Sequence, residues 1–261
     1  MDFMESINLE ILVQLSANSS GLIDLAGNTW TYHKKEITRI RDEENYEEES
    51  NDMDLGIEGK FPNTLAININ EGNWISCDKE IILPYNQKWF IYLWNYKTKF
   101  SYYDVVLGGT NAKFFSLQNN DGEYAQTIGM RIEGQGYSIR SIVPQELDKW
   151  IHYYIDCNGS GMFSLYINGK IQEKLHRNQD MIFKPLNLGA WSFGTCKEGT
   201  PGFIDDLVIA RGEQLFYEDF EVPDEPFSIA LFNRNIKKIK RYSKLGQNPK
   251  NQHLFNIFIH L

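Results

Sequence analysis

Apolar and polar positions alternate along much of this chain as they do in β proteins, most clearly between Trp150 and Arg211. From Trp150 to Asp156 one face carries Trp150, His152, Tyr154 and Asp156, and the other carries Ile151, Tyr153 and Ile155. A Cys-Asn-Gly-Ser-Gly turn follows, then a second run of period two with Phe163, Leu165 and Ile167 on one face. That run ends at Asn168-Gly169. Asn-Gly after an alternating run signals a tight hairpin, because a type I′ turn needs positive φ at both central residues. Two consecutive antiparallel hairpins are predicted here.

Upstream, a first strand is expected over 7–15, and further β-like segments over 64–70, 74–77, 89–94, 104–107, 113–117, 127–132 and 136–142. The segment WFIYLW, Trp89 to Trp94, is apolar at every position and reads as a strand buried on both faces. Turn signals at intervals of roughly 8–12 residues are the spacing of a β-sandwich. No strong helical period precedes Pro226. The acid-rich run from Asp42 to Asp54 reads as a solvated loop. A calcium loop is the alternative, but the run lacks the glycine and fixed ligand positions of an EF-hand. Val222-Pro223-Asp224-Glu225-Pro226 reads as a stiff, extended linker. Beyond it, Ile229, Phe232, Ile236 and Ile239 approximate an amphipathic helical stripe. The terminal HLFNIFIHL alternates like an exposed strand that needs something to pair with.

Composition sharpens this picture in three ways. Aromatic residues make up 14% of the chain, which suits strands. The N-terminus carries acids where a signal peptide needs positive charge, and no run reaches the roughly 18 apolar residues of a membrane span. A soluble product is expected, with no membrane partner, leaving the cell, if it does, by a route other than a cleaved signal. The three cysteines, Cys77, Cys157 and Cys196, are widely spaced and form no zinc pattern, so free thiols are expected. The formal charge of −9 is unevenly distributed. Seven of the 26 Lys and Arg, and none of the 35 Asp and Glu, lie after Phe227, so the body carries −16 and the tail +7. An acidic body argues against nucleic acid as the main ligand.

The order of pieces in the C-terminal half is a Trp near a strand start, a turn, LYINGK, LGAWSFG, then GFIDDLVIAR. It resembles the C-terminal half of a laminin-G-like, concanavalin A-type lectin/glucanase domain. Asp24, Gly27-Asn28 and Trp30 likewise resemble the D-x-(S/A)-G-N-x-W opening of laminin-G-like modules. The resemblance implies an all-β, concanavalin A-like jelly-roll β-sandwich over residues 1–222, followed by a Pro-containing linker and short basic C-terminal arm over 223–261. That fold hosts binders, glycosidases and inert modules alike, so function has to be argued from the site.

Asp205 and Asp206 stand inside an otherwise apolar strand, and strict alternation points one of them at the core. A buried carboxylate needs backbone donors, a cation or protonation. One reading is a structural carboxylate accepting N–H bonds from a neighbouring loop. The other is a structural Ca2+ shared with Asp24, which the resemblance places where first and last strands meet. A laminarinase-type glycosidase would carry E-x-D-x-x-E on one strand. Glu49, Asp52, Asp54 and Glu58 come nearest, with the wrong spacing. The five histidines and the serines form no nucleophile elbow. No enzyme is expected. A saccharide surface would use aromatic platforms flanked by Asn and Asp. Candidates are Trp74, Trp94, Tyr102, Tyr103, Tyr137 and Trp191, each of which is equally a packing residue, with Asn111, Asn119, Asn120 and Asp121 on the loops.

The function expected is non-enzymatic adhesion: a module of a phage or phage-like particle, or of a bacterial surface, that binds a host glycan. The alternatives are a purely structural virion protein docking on neighbours through its C-terminal arm, and a divergent glycoside hydrolase. The partners expected are a glycan or other virion proteins, in an oligomer or assembly.

Overall fold

A computed structural model describes residues 9–34, 55, 57–69, 73–99, 103–117, 127–132, 137–190, 202–228 and 233. Among them the alternating runs become seventeen strands: β1 Glu10–Asn18, β2 Gly21–Asp24, β3 Thr31–Lys34, β4 Ile67–Asn68, β5 Asn73–Cys77 and β6 Ile81–Leu83, then β7 Lys88–Lys97, β8 Tyr103–Gly108, β9 Ala112–Leu117, β10 Thr127–Ile132, β11 Tyr137–Arg140 and β12 Trp150–Asn158, then β13 Met162–Ile167, β14 Lys170–His176, β15 Met181–Phe183, β16 Leu186–Leu188 and β17 Gly202–Arg211. Two antiparallel sheets stack as a jelly-roll sandwich. One runs β14-β13-β12-β7-β17-β1-β2, with β4 also on β17; the other runs β11-β10-β9-β8-β16-β5-β3. A two-stranded ribbon, β6 with β15, stands apart from both.

The predicted hairpins are present. Strand β12 pairs with β13 and β13 with β14, and Asn168 (φ 48°) and Gly169 (φ 75°) make the tight turn. An added Cβ at Gly169 would stand 2.0 Å from the Phe220 carbonyl oxygen, so close approach as well as φ requires glycine there. First and last strands meet as expected, β1 against β17.

Alternation fills the space between the sheets. Trp89, Ile91 and Leu93 of β7 pack there with Tyr153 and Ile155 of β12, Leu207 and Ile209 of β17, and Phe114 and Ile128 of the opposite sheet. The middle of β7, Trp89 to Trp94, is apolar at every position because its other face is buried too. Phe90, Tyr92 and Trp94 join Tyr154, Tyr166, Val208 and Ala210 in a second core on the outward side of the larger sheet. The chain after β17 turns back and lies across that face as a strap, contributing Leu215, Phe216, Phe220, Val222 and Phe227. Burying a large apolar side chain contributes roughly 1.5–3 kcal/mol, which offsets much of the strap's ordering entropy. The domain boundary expected after Val222 falls within this docked segment: Phe227 is buried, its N–H donates to Asp206, and its carbonyl accepts from the Gln14 side chain. The basic arm beyond lies outside the described residues.

Strand β17 departs from strict alternation. Its pairing with β7 shifts register between Asp205 and Val208, a β-bulge with Asp206 at φ 49°. The extra residue lets Ile204 and Leu207, three apart, share the inner core. The expectation that one of the two carboxylates points at that core is corrected by this bulge. Asp tolerates positive φ better than most residues, which suits it to the bulge position.

Candidate functional site

The two outward faces of the sandwich differ, and they divide the sequence candidates between them. On the larger sheet, Trp94 is 5% exposed, under Phe61 and with the Lys60 ammonium 4.6 Å from its ring centre. Beside it, His152 is fully buried between Tyr92, Trp94 and Phe220, with neither ring nitrogen hydrogen-bonded. Burial pulls its pKa down to about 3, so the ring is neutral. Trp94 has no ring face available to a sugar, which corrects its place among the stacking candidates.

The carboxylates proposed for calcium are held by protein donors. Asp205 Oδ2 accepts from the Lys60 N–H and the Thr64 hydroxyl, both at 2.8 Å, and its Oδ1 accepts from the Asp206 N–H. Asp206 Oδ2 accepts from the Phe227 N–H at 2.7 Å. Asp24 serves a separate corner. Its carboxylate gathers the Gln14 and Ala26 N–H groups, the Asn28 amide and the Trp30 indole N–H, at 2.8–3.2 Å. That explains the D-x-A-G-N-x-W pattern as a folding device. Asp205 and Asp206 are brought together by the bulge, while Asp24 is occupied by its own loop. Among the described residues no three His, Cys, Asp or Glu side chains are grouped as a metal site.

The smaller sheet presents a different outward face. Strand β3 is its edge, and His33 there stacks on Trp74 of β5 with ring centres 4.4 Å apart and planes 12° apart. His33 Nε2 lies 2.8 Å from the Ser76 hydroxyl. Thr31, His33, Trp74 and Ser76 are all half-buried, and all point outward because Tyr32, Ile75 and Cys77 between them point into the core. A single register row crosses the whole sheet from this corner: Thr31, Ser76, Asn187, Gly108, Lys113, Arg131 and Tyr137, each paired with the next. Every position in that row is polar or glycine. Its centre is closed, since Asn187 and Lys113 are buried, whereas Thr31, Ser76 and Arg131 are half-exposed. The row went unnoticed in the sequence because it links seven strands that share no local pattern: two places beyond Lys113 stands Phe115, and two before Ser76 stands Trp74.

The remaining candidates scatter. Tyr103 and Tyr137 lie on β8 and β11, and their side chains are outside the described ones. Tyr102, Trp191, Asn119, Asn120, Asp121 and the acid-rich run up to Asp54 lie outside the described residues. Asn111 braces the β6–β15 ribbon, donating to the Asp180 carbonyl and accepting from the Ile182 N–H. Glu58 bridges to Leu65 in the backbone. Cys77 and Cys157 are free and buried. A cleft of about 210 Å³ lies over Ile151, Tyr153 and Ile167. Its amides are already used: Gln145 accepts from Lys97, and Asn168 from the His152 N–H.

Comparison with known proteins agrees on the fold. The chain is similar to domain 4 of AbnA, a GH43 extracellular arabinanase from Geobacillus stearothermophilus, solved in complex with arabinotriose. Identity is 15% and the TM-score 0.55, over 78% of this chain and 93% of that one. It is also similar to the botulinum neurotoxin serotype D binding domain, at 12% identity and TM-score 0.52 over 80% of this chain. A third similar structure is the binding domain of botulinum neurotoxin DC in complex with rat synaptotagmin II, at 10% identity and TM-score 0.50 over 87% of this chain. The chain spans about half the length of these neurotoxin domains, 50% and 51%. No family model and no curated protein matches by sequence.

Proposed function

We propose that this chain is a non-catalytic saccharide-binding module, and that its ligand meets the outward face of the smaller sheet at Trp74, His33, Thr31 and Ser76. The observation that carries the proposal is the half-exposed His33–Trp74 stack with the Ser76 hydroxyl beside it. An indole gives a sugar ring an apolar surface, and flanking hydroxyls and imidazole fix its orientation. Support from likeness is confined to the fold, which this chain shares with an arabinanase domain solved with arabinotriose. In the same proposal the module is not an enzyme, since four of its buried or half-buried carboxylates have structural roles. Asp24, Asp205 and Asp206 are engaged by backbone and side-chain donors, and Asp156 is sealed under the strap. Its setting is a phage-like particle, with the basic residues after Phe227 as the anchoring arm; the charge split of −16 and +7 supports this.

Glycan-array screening of the intact chain, with arabinotriose included, tests the reading. Binding that is lost in Trp74→Ala and His33→Ala but kept in Trp94→Phe supports it. Binding that is indifferent to Trp74 would sink the proposed face.

A further inference from the structure

The strap, residues 212–228, covers two carboxyl groups, those of Asp156 and Asp206. Asp156 is fully buried on the outward face of β12, and neither oxygen reaches hydrogen-bond geometry with a partner. Its neighbours are Tyr154 on its own strand, Ser164 and Tyr166 on β13, Lys174 on β14, and Gln214 and Tyr217 on the strap. The same strap begins by docking on Tyr154, whose hydroxyl oxygen accepts the Leu215 and Phe216 N–H groups at 2.9 and 3.2 Å. It ends by docking on Asp206, whose carboxylate accepts the Phe227 N–H and faces Asp205 and Tyr92. Between these ends, Phe220 closes over His152 and Asp219 holds the Ile171 N–H.

We propose that the strap is a pH-sensitive latch over the outward face of the larger sheet, closed while Asp156 and Asp206 are neutral and loosened as they ionise. The argument is independent of any saccharide site. A carboxylate sealed from water without adequate donors is costly, and the chain can relieve that cost by taking up a proton or by lifting the cover. Burial pushes both groups up to about 7, for Asp206 against the pull of the Phe227 N–H and with a further push from Asp205. Once exposed, each would return to about 3.9. Opening therefore releases protons between about pH 4 and 7, and closure is favoured at the acid end of that window. His152 works in the opposite sense. Held neutral under Phe220, it would regain a pKa of about 6.5 when uncovered and take up one proton below that pH. Two protons released against one taken up leave a net release of about one. The opening constant thus rises about tenfold per pH unit between roughly pH 4.5 and 6.5. The tyrosines, all raised by burial, stay neutral throughout.

Hydrogen exchange on the full chain tests this. Amides of residues 213–228, corrected for intrinsic exchange rates, should lose protection at least about tenfold between pH 5 and 7.5, while those of β7 and β12 change less. The double variant Asp156→Asn/Asp206→Asn should abolish that loss and leave the His152 contribution alone, so that protection now increases from pH 5 to 6.5. Protection of the strap that is flat with pH, or a loss that persists unchanged in the double variant, would overturn the latch. So would a loss shared equally by the whole sandwich. Should the variant fail to fold, the infrared band of protonated aspartic acid in the isotope-labelled native chain decides. Its presence at pH 5.5 and decay by pH 8 supports the latch, and its absence at pH 5.5 overturns it.

Discussion

The sandwich carries two Trp–His pairs on its two outward faces, and their fates are opposite. Trp94 and His152 sit on the larger sheet with ring centres 5.1 Å apart and planes at 62°, sealed beneath Phe61 and the strap. Trp74 and His33 lie flat on one another at the edge of the smaller sheet, half-exposed, with the imidazole beside a hydroxyl. In the sequence both tryptophans stand among the candidates for stacking on a saccharide. What separates them is their cover: Phe61 and the Lys60 side chain lie on Trp94 and the strap's Phe220 lies on His152, while the Thr31–Ser76 corner of the other face is half-exposed. Whether an outward aromatic packs or binds is thus decided by what covers it.

The largest effect that sharpens this contrast is expected at Trp94. Trp94→Ala should lower stability by about 3–5 kcal/mol in urea unfolding, as a buried aromatic truncation does, while Trp74→Ala costs well under half of that. Equal costs would break the distinction between the faces. Next is Asp205, which holds the loop around Lys60 over Trp94. Asp205→Ala leaves the Lys60 and Asp206 N–H groups without their side-chain acceptor, at about 1–3 kcal/mol. Faster exchange of the Lys60 amide is its local signature. A smaller and purely spectroscopic expectation concerns the His152 imidazole. His152 should show no titration by NMR above about pH 4, because burial holds it down to about 3. The sign follows: its contribution to stability is complete above pH 6.5 and is lost as pH falls from 6.5 towards 3. A midpoint near 6.5 for His152 would mean that the face is open to water.

Much of the fold was legible because sandwich strands announce themselves locally. The run from Trp150 to Ile167, the Asn168-Gly169 turn and the doubly buried WFIYLW segment each needed only neighbouring residues to be read. The bulge at Asp206 was less legible, since a register shift against β7 is a property of two strands. Strict alternation therefore sent one carboxylate to the wrong face. Asp24 shows a different difficulty. Its spacing to Asn28 and Trp30 was noticed, but a carboxylate that collects four donors and one that collects a cation present the same residue in the same place. The strap was hidden as well. Val222 to Pro226 has the composition of a linker, yet Val222 packs on the outer core and Phe227 lands on Tyr92 and Phe90, so the chain is still docking there. The candidate site was half legible: Trp74 was named, but His33 and Ser76 join it only through cross-strand register.

The most direct test of the contrast is to follow the indole N–H signals of Trp74 and Trp94 by NMR while the chain is titrated with its best array ligand, beginning with arabinotriose. The account predicts that the Trp74 signal shifts with saturation and the Trp94 signal stays where it is. Movement of Trp94 with Trp74 unmoved would place the ligand on the strapped face and contradict it.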